Sequence, residues 1–260
     1  MSRTDYEGWM ASAYDAGRSL DEDVLAVWGE IAAPFLGPDL EGPVLDLGAG
    51  TGRFSGHLAQ WSASPVVAVE PATAMARLAR SRDAPGVRVA VGRSEAIPLR
   101  DASVKAAWLS QVLHHIDDLD QAARELARVV RPAGTVLIRG SLGQDDLHEG
   151  PSRGLVLYRY FPEAGRVADA HPGPGRVLDA FARAGLVAQH ITQVAQATAS
   201  SLQELYTRVA TRADSTLAAI DDETFAAGLA ALQADAAAEA AEATVSPVID
   251  RLDFLVLRPA

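Results

Sequence analysis

The sequence predicts an α/β fold built on a parallel sheet, and three observations carry that expectation. In Val44–Phe54, VLDLGAGTGRF, an apolar run holding one acid, Asp46, empties into glycines on alternate positions, Gly48, Gly50 and Gly52. A helical pattern follows in which Phe54, Leu58 and Trp61 share a face, so the stretch reads as strand, tight turn, helix, the opening of a parallel crossover. Val66–Val69 then forms a second buried-strand run with Glu70 at its carboxyl end, leading into a helix with Met75, Leu78 and Ala79 on its apolar side. Beyond it, strand and helix patterns continue in turn as far as Arg139.

The elements follow in chain order. Residues 1–23 are polar and aromatic, with Tyr6, Trp9, Tyr14, Asp15 and Arg18. From Val24 a helix is expected, with Val27, Trp28, Ile31 and Phe35 at helical spacing until Pro34 and Gly37 break it. A linker, GPDLEGP, leads into the central strand. The third strand is Val87–Val91 and the fourth Val104–Leu109, which delivers Ser110 and Gln111 to the crevice just before His114 and His115. Asp117, Asp118 and Asp120 open the next helix, Ala122, Leu126 and Val129 line it, and Arg131-Pro132 ends it. The turn Pro132-Ala133-Gly134 enters a fifth strand, Thr135–Arg139. A Gly-, Pro- and His-rich stretch, 141–175, carries Tyr158, Tyr160 and Phe161. A helix over about 176–184, a sixth strand Leu186–Val194, helices through 196–246 and a last strand Asp253–Arg258 complete the chain. The two long segments, 141–175 and 196–249, fall on the ligand side of such a sheet and are candidate lids.

Composition narrows the function. There are 34 acids against 23 lysines and arginines, a net charge of −11, so a polyanion such as DNA or RNA is an unfavourable partner. With no cysteine the chain has no disulfide, no thiol nucleophile and no cysteine metal site, and no zinc-ligand spacing occurs, so no metal is expected. The start, MSRTDYEG, lacks an apolar signal core, and no stretch has the length and apolarity of a membrane span. A cytoplasmic protein without membrane association is expected.

Glycine spacing separates the ligands that use such a turn. The dinucleotide fingerprint would need a glycine at position 53, which is Arg53, and the phosphate loop would need Gly-Lys-Ser/Thr, which is absent. Asp46 would repel a pyrophosphate but suits a cation. The D-x-G-x-G-x-G pattern resembles motif I of the class I S-adenosylmethionine-dependent methyltransferases, and GRSEAIPL and the helix-RPxG-strand sequence are similar to that family too, in its small-molecule, quinone-methyltransferase-like branch. The resemblance is close over Val44–Arg139. It implies a Rossmann-like seven-stranded, mostly parallel sheet with helices on both faces, the last strand antiparallel, a helical N-terminal cap over residues 1–40 and a methyltransferase domain over 41–260. Lys105 departs from the pattern, since the family has an acid there. Its place at the outer end of the strand implies a structural consequence rather than a loss of binding.

For the cofactor, S-adenosylmethionine, with S-adenosylhomocysteine as product, the resemblance implies Gly48, Ala49, Gly50 and Gly52 along the turn with Asp46, and Glu70, Pro71 and Met75 beside the ribose and adenosine. Ser94 and Glu95 would lie at the adenine edge, with Gln111 at the end of the fourth strand, and Tyr14 and Arg18 would meet the cofactor carboxylate, a fork-to-carboxylate fit. His114 and His115 are the candidate general bases, because imidazole takes a proton near neutral pH. Aromatic residues of the lids, Tyr158, Tyr160, Phe161 and Tyr206, point to an apolar or aromatic small-molecule acceptor, and Arg153 or Arg159 to an acidic group on it. The methylated atom, oxygen, nitrogen or carbon, stays open, as does a homodimer. Two other readings stand beside methyl transfer: a cyclase or scaffold of the same fold that binds the cofactor without consuming it, and a nucleotide-dependent oxidoreductase, which Arg53 disfavours.

Overall fold

The computed structural model describes residues 20–143, 156–169, 171–242 and 245–260. Seven strands form one sheet in the order β3-β2-β1-β4-β5-β7-β6. They are β1 Val44–Leu47, β2 Val66–Glu70, β3 Val87–Val91, β4 Val104–Ser110, β5 Val130–Gly140, β6 Leu186–Ala199 and β7 Val248–Pro259. β1 to β5 are mutually parallel, and β7 runs antiparallel to both neighbours, β5 and β6. The order reverses at β1, flanked by β2 and β4, and in open parallel sheets ligands bind at that switch point beyond the carboxyl ends.

The helices follow from periodicity and punctuation. α1 (Glu22–Ala32) ends in a 3-10 turn containing Pro34, and α2 (Ser55–Ser62) stops where Ala63 turns left-handed at φ +47°. α3 spans Thr73–Ser81. α4 (Leu119–Val129) is capped by Asp118, whose side chain accepts from the Gln121 N–H. α5 (Leu157–Tyr160) and α6 (Pro162–Asp169) lie in the segment after β5, and α7 (Pro174–Arg183) leads into β6. After β6 come α8 (Leu202–Val209), α9 (Ser215–Ala218) and α10 (Asp222–Ala241).

Alternation along the strands divides the core in two. Leu45, Leu47, Ala107 and Leu109 face α4 and α7 and meet Leu126, Val129 and Phe181. Val44, Ala106, Trp108 and Phe254 face the other way and meet Trp28 of α1 and Leu58 of α2. Trp28 sits edge-on to Trp108 and Phe254, with centroids 6.3 and 5.9 Å away, so α1 is anchored to the sheet. A third cluster joins the segments after β5 and β6: Phe161 packs with Leu205, Val209 and Leu232. Gly228 makes that contact possible, since a Cβ there would stand 2.5 Å from the Phe161 ring.

Three expectations change. The sixth strand runs to Ala199 rather than Val194, so 196–199 are strand and not helix. The last strand begins at Val248 rather than Asp253. Both extensions carry polar residues at buried positions, Gln196 and Asp250, which broke the apolar alternation on which the shorter limits rested. The fifth strand starts at Val130, absorbing the expected Pro132–Gly134 turn into an irregular pairing with a register shift opposite Val104 and Ala106. Lys105 has the structural part expected of it. It is buried, and its ammonium donates to the carbonyls of Gly37 (2.9 Å) and Ser62 (3.4 Å), joining the end of α2 to the linker; burial pushes its pKa down.

Candidate active site

The site begins with the glycine turn. Gly48, Gly50 and Gly52 have φ of +70°, +58° and +77°, a region open to glycine at little cost. Gly48 and Gly52 are also fixed by packing: a Cβ on Gly48 would stand 2.3 Å from Val112, and one on Gly52 3.0 Å from Ala79. Gly50 differs, because a Cβ there would meet nothing within 4 Å. Its main chain therefore faces open space at the carboxyl end of β1.

Glu70, buried at the end of β2, reaches across to that turn. One carboxylate oxygen accepts from the Gly50 N–H and the other from the Ala72 N–H, both at 2.9 Å. The backbone N–H groups of Gly48 and Ala49 are held by the Val69 carbonyl, so the turn is fixed to β2 at both levels.

Asp46 lies beneath the turn, buried, accepting from the Ser55 hydroxyl at 2.7 Å. Burial is the main cause that pushes its pKa up to about 7; nearby Glu70 adds to the rise, while Ser55 and Arg53 oppose it. An aspartate unfolded near 3.8 and folded near 7 binds its proton more tightly in the native state. Stability therefore falls as pH rises from about 4 to about 7 and is level above. Asp46→Asn should lose this slope and melt higher than the wild type at pH 8, by up to about 4 kcal/mol at ~1.4 kcal/mol per unit, while matching it near pH 4. Melting curves at pH 4, 6 and 8 check this, and parallel curves for the two proteins contradict it.

Beside the turn is a cavity of about 170 Å³. Arg53 comes from the glycine turn, Gln111 and His114 from the segment just after β4, Arg139 from β5, Gln196 and Asp250 from β6 and β7, and Tyr158, Leu205 and Arg208 from the two long segments. Arg139, buried near the end of β5, donates to the Ser110 hydroxyl at 2.9 Å and to the Gln196 side-chain oxygen. Its guanidinium lies over the Trp28 ring at 4.6 Å and the Phe54 ring at 5.2 Å. The Trp28 indole N–H donates to the same Gln196 oxygen at 2.9 Å. Gln111 stands at φ +55°, and its side-chain oxygen accepts from the Ser141 N–H at 3.0 Å. A non-glycine residue in that conformation is strained and often sits at a working site.

The expected site residues divide accordingly. His114 is half-buried and lines the cavity, whereas His115 is exposed. His171, from the segment after β5, stacks on His114 with ring centroids 4.4 Å apart, and burial pushes its pKa down. Ser94 donates to Glu95, which also accepts from the Asp117 N–H, so the pair is tied to the turn before α4. Met75 is buried on α3 and Pro71 is exposed at its start. Tyr158 lines the cavity. Tyr160 instead donates its hydroxyl to Asp235, and Phe161 and Tyr206 pack in the third cluster. Arg159 is mostly exposed beside Asp235, 3.4 Å away. Tyr14, Arg18 and Arg153 lie outside the described residues.

Sequence reasoning missed Arg139, Gln196, His171, Asp250 and Arg208 as cavity residues. A signal existed for Arg139: TVLIRG ends an apolar strand with one charge, the same sign that marks Glu70. Gln196 falls in the stretch that the sequence pattern reads as helix, which hides its inward position on β6.

Residues 45–138 match the family model described as a methyltransferase domain. Over 134 residues the chain is 36% identical to a malonyl-[acyl-carrier protein] O-methyltransferase of Methylococcus capsulatus, a match covering 48% of this chain and 49% of that protein. The chain thus spans about half the length of that curated relative. Among solved structures, a putative sarcosine dimethylglycine methyltransferase from Galdieria sulphuraria superposes with a TM-score of 0.61 at 17% identity, over 96% of this chain and 97% of that one. The [4+2]-cyclase SpnF also superposes at 0.61, with 19% identity, over 94% and 84%. At such identities the likeness is one of fold. Over residues 45–138 the chain is thus similar to a methyltransferase domain of the class I S-adenosylmethionine-dependent kind, and the seven-stranded sheet built around them is the fold of the solved structures that superpose on it.

Proposed function

We propose that the chain binds S-adenosylmethionine across the glycine turn and directs its methyl group to a small-molecule acceptor in the adjoining cavity. The observation that carries this reading is Gly50: left-handed, facing open space, with its N–H held by a buried carboxylate from the neighbouring strand. When bound, S-adenosylmethionine supplies an electrophilic methyl group on a cationic sulfonium. Glu70 would accept from the ribose hydroxyls, and Asp46 would offset the positive charge of the ligand. Ala49 and the three glycines present bare main chain, Pro71 and Met75 border the nucleoside, and Ser94 and Glu95 meet the adenine. Arg18, with Tyr14, is proposed for the cofactor carboxylate.

Methyl transfer asks the protein chiefly for alignment and dryness. The cavity supports both, because apolar side chains such as Leu157, Leu205 and Leu252 share its wall with the charged groups. A nucleic-acid acceptor fits poorly with a net charge of −11. Among the described residues no helix is long and apolar enough to cross a membrane. Titration calorimetry with S-adenosylmethionine and S-adenosylhomocysteine tests the reading: saturable one-site binding is expected, and the absence of binding heat at several temperatures refutes it. Accumulation of S-adenosylhomocysteine with an acceptor separates methyl transfer from a cyclase or scaffold that keeps its cofactor intact.

The two histidines should then behave differently. His114 is the candidate to orient the acceptor or take its proton, since it lines the cavity and His115 does not. His114→Ala should lower kcat/KM for the acceptor about tenfold or more, toward the ~10²-fold typical of lost acid–base groups, with His115→Ala close to the wild type. Equal losses in the two variants contradict the assignment.

A further inference from the structure

Two histidines from different parts of the chain meet at the wall of the cavity, and the function proposed above uses only His114. Resting on that reading, we infer that His171 is a positioning residue for His114: its ring stacks on the His114 ring and holds it at the cavity wall, and the stacked pair carries one positive charge rather than two.

The contact is built from both sides. His114 stands on the 3-10 turn Leu113–His115 that follows β4. His171 stands between α6 and α7, and its N–H donates to the Ala168 carbonyl at 3.0 Å. Just beyond β5, the Gly143 N–H donates to the Pro172 carbonyl at 3.1 Å, and a Cβ at position 143 would stand 2.1 Å from the His171 carbonyl oxygen. Glycine permits that approach, so His171 is held against the main chain that leaves β5. The two rings then lie nearly parallel, 16° apart in plane with centroids 4.4 Å apart, and both line the cavity.

Two imidazolium rings at that separation repel each other, whereas a neutral ring lying face-on suits a charged one. His115, on the same turn, is tilted 53° to His114 with centroids 3.9 Å apart. Asp169 and Asp214 draw a proton toward His171, but burial outweighs them and pushes its pKa down. The other charged groups on the cavity wall are Arg53, Arg139, Arg208 and Asp250. The first proton taken up by the pair therefore belongs to His114. In the transfer proposed above, an acceptor O–H or N–H gives its proton to a neutral His114 nitrogen as the acceptor atom bonds to the methyl carbon. The carbon–sulfur electron pair stays on sulfur, and S-adenosylhomocysteine is released. His171 stays neutral and faces the charge that His114 acquires.

NMR of histidine-labelled protein from pH 8.5 to 4.5 tests the pair without an acceptor. His115→Gln is the background throughout, because it removes the other imidazole beside His114. In it, His114 and His171 should each report two inflections about one pH unit or more apart, the mark of coupled sites, with and without S-adenosylhomocysteine. Adding His171→Phe, which keeps a ring and removes the charge, should leave His114 a single inflection and the shifted signals of a stacked ring. Adding His171→Ala should move the His114 signals to those of an exposed histidine. One independent inflection for each residue in His115→Gln overturns the inference, whatever the stability of the variants at position 171. Two inflections surviving for His114 beside Phe, or unmoved His114 signals beside Ala, overturn it as well. Failure of S-adenosylhomocysteine to load overturns the proposed function instead and leaves the titration of the pair readable.

Discussion

Gly50→Ala is expected to abolish cofactor binding while leaving the fold intact. A Cβ at this position meets no atom within 4 Å, so the free protein pays only for a left-handed alanine. That cost is about 1–2 kcal/mol, a fall of a few degrees in Tm for a chain of this size. The space the methyl group fills is the space in which the ligand is proposed to lie, and its affinity should drop about 100-fold or more, each tenfold being ~1.4 kcal/mol. Gly48→Ala is the contrast. Its Cβ would drive into Val112, so stability and binding should both be lost. Calorimetry and melting curves on the two variants separate the cases. Wild-type S-adenosylhomocysteine affinity in Gly50→Ala would mean that nothing lies against the turn.

Glu70→Ala should have an effect of similar size for a different reason. It removes the acceptor for two part-buried backbone N–H groups, Gly50 and Ala72, which water can reach, at a cost of about 1 kcal/mol or less for each. It also removes the proposed acceptor of the ribose hydroxyls, and cofactor affinity should fall at least ~100-fold, about 2.7 kcal/mol, the upper part of the range for a hydrogen bond to a charged group. An analogue of S-adenosylhomocysteine lacking both ribose hydroxyls isolates the ligand contact. The wild type should prefer the natural ligand strongly, and Glu70→Ala should discriminate weakly or not at all. If discrimination survives in the variant, Glu70 shapes the turn and nothing more.

The first five strands were legible because each is an apolar run broken by a charge or a glycine, and in a sheet buried on both faces that contrast is sharp. The Asp46, Gly50 and Glu70 cluster was legible for the same reason: polar and glycine residues at the strand ends have no packing explanation. The second half of the sheet was less so. Gln196, Asp250 and Asp253 are buried on β6 and β7 and accept from Trp28, Thr198 and Gln193 side chains, so buried positions there are polar and the period-two signal fades. Arg139 and His171 depend on tertiary placement. Arg139 reads as an ordinary strand end until Trp28, more than a hundred residues earlier in the chain, is found beneath it. The aromatic residues of the lid misled for a related reason: Tyr158 faces the cavity while Phe161, three positions on, builds the lid's own core. Spacing alone does not distinguish those two faces.

The measurement that bears most directly on the central claim is a crystal structure of the protein with S-adenosylhomocysteine. The account predicts the ribose against Glu70, the thioether beside the main chain of Gly48–Gly52, and the sulfur directed toward the cavity that Arg139 and Gln111 line. Electron density for the ligand elsewhere, or a turn closed over by side chains with the ligand absent at saturating concentration, would contradict it.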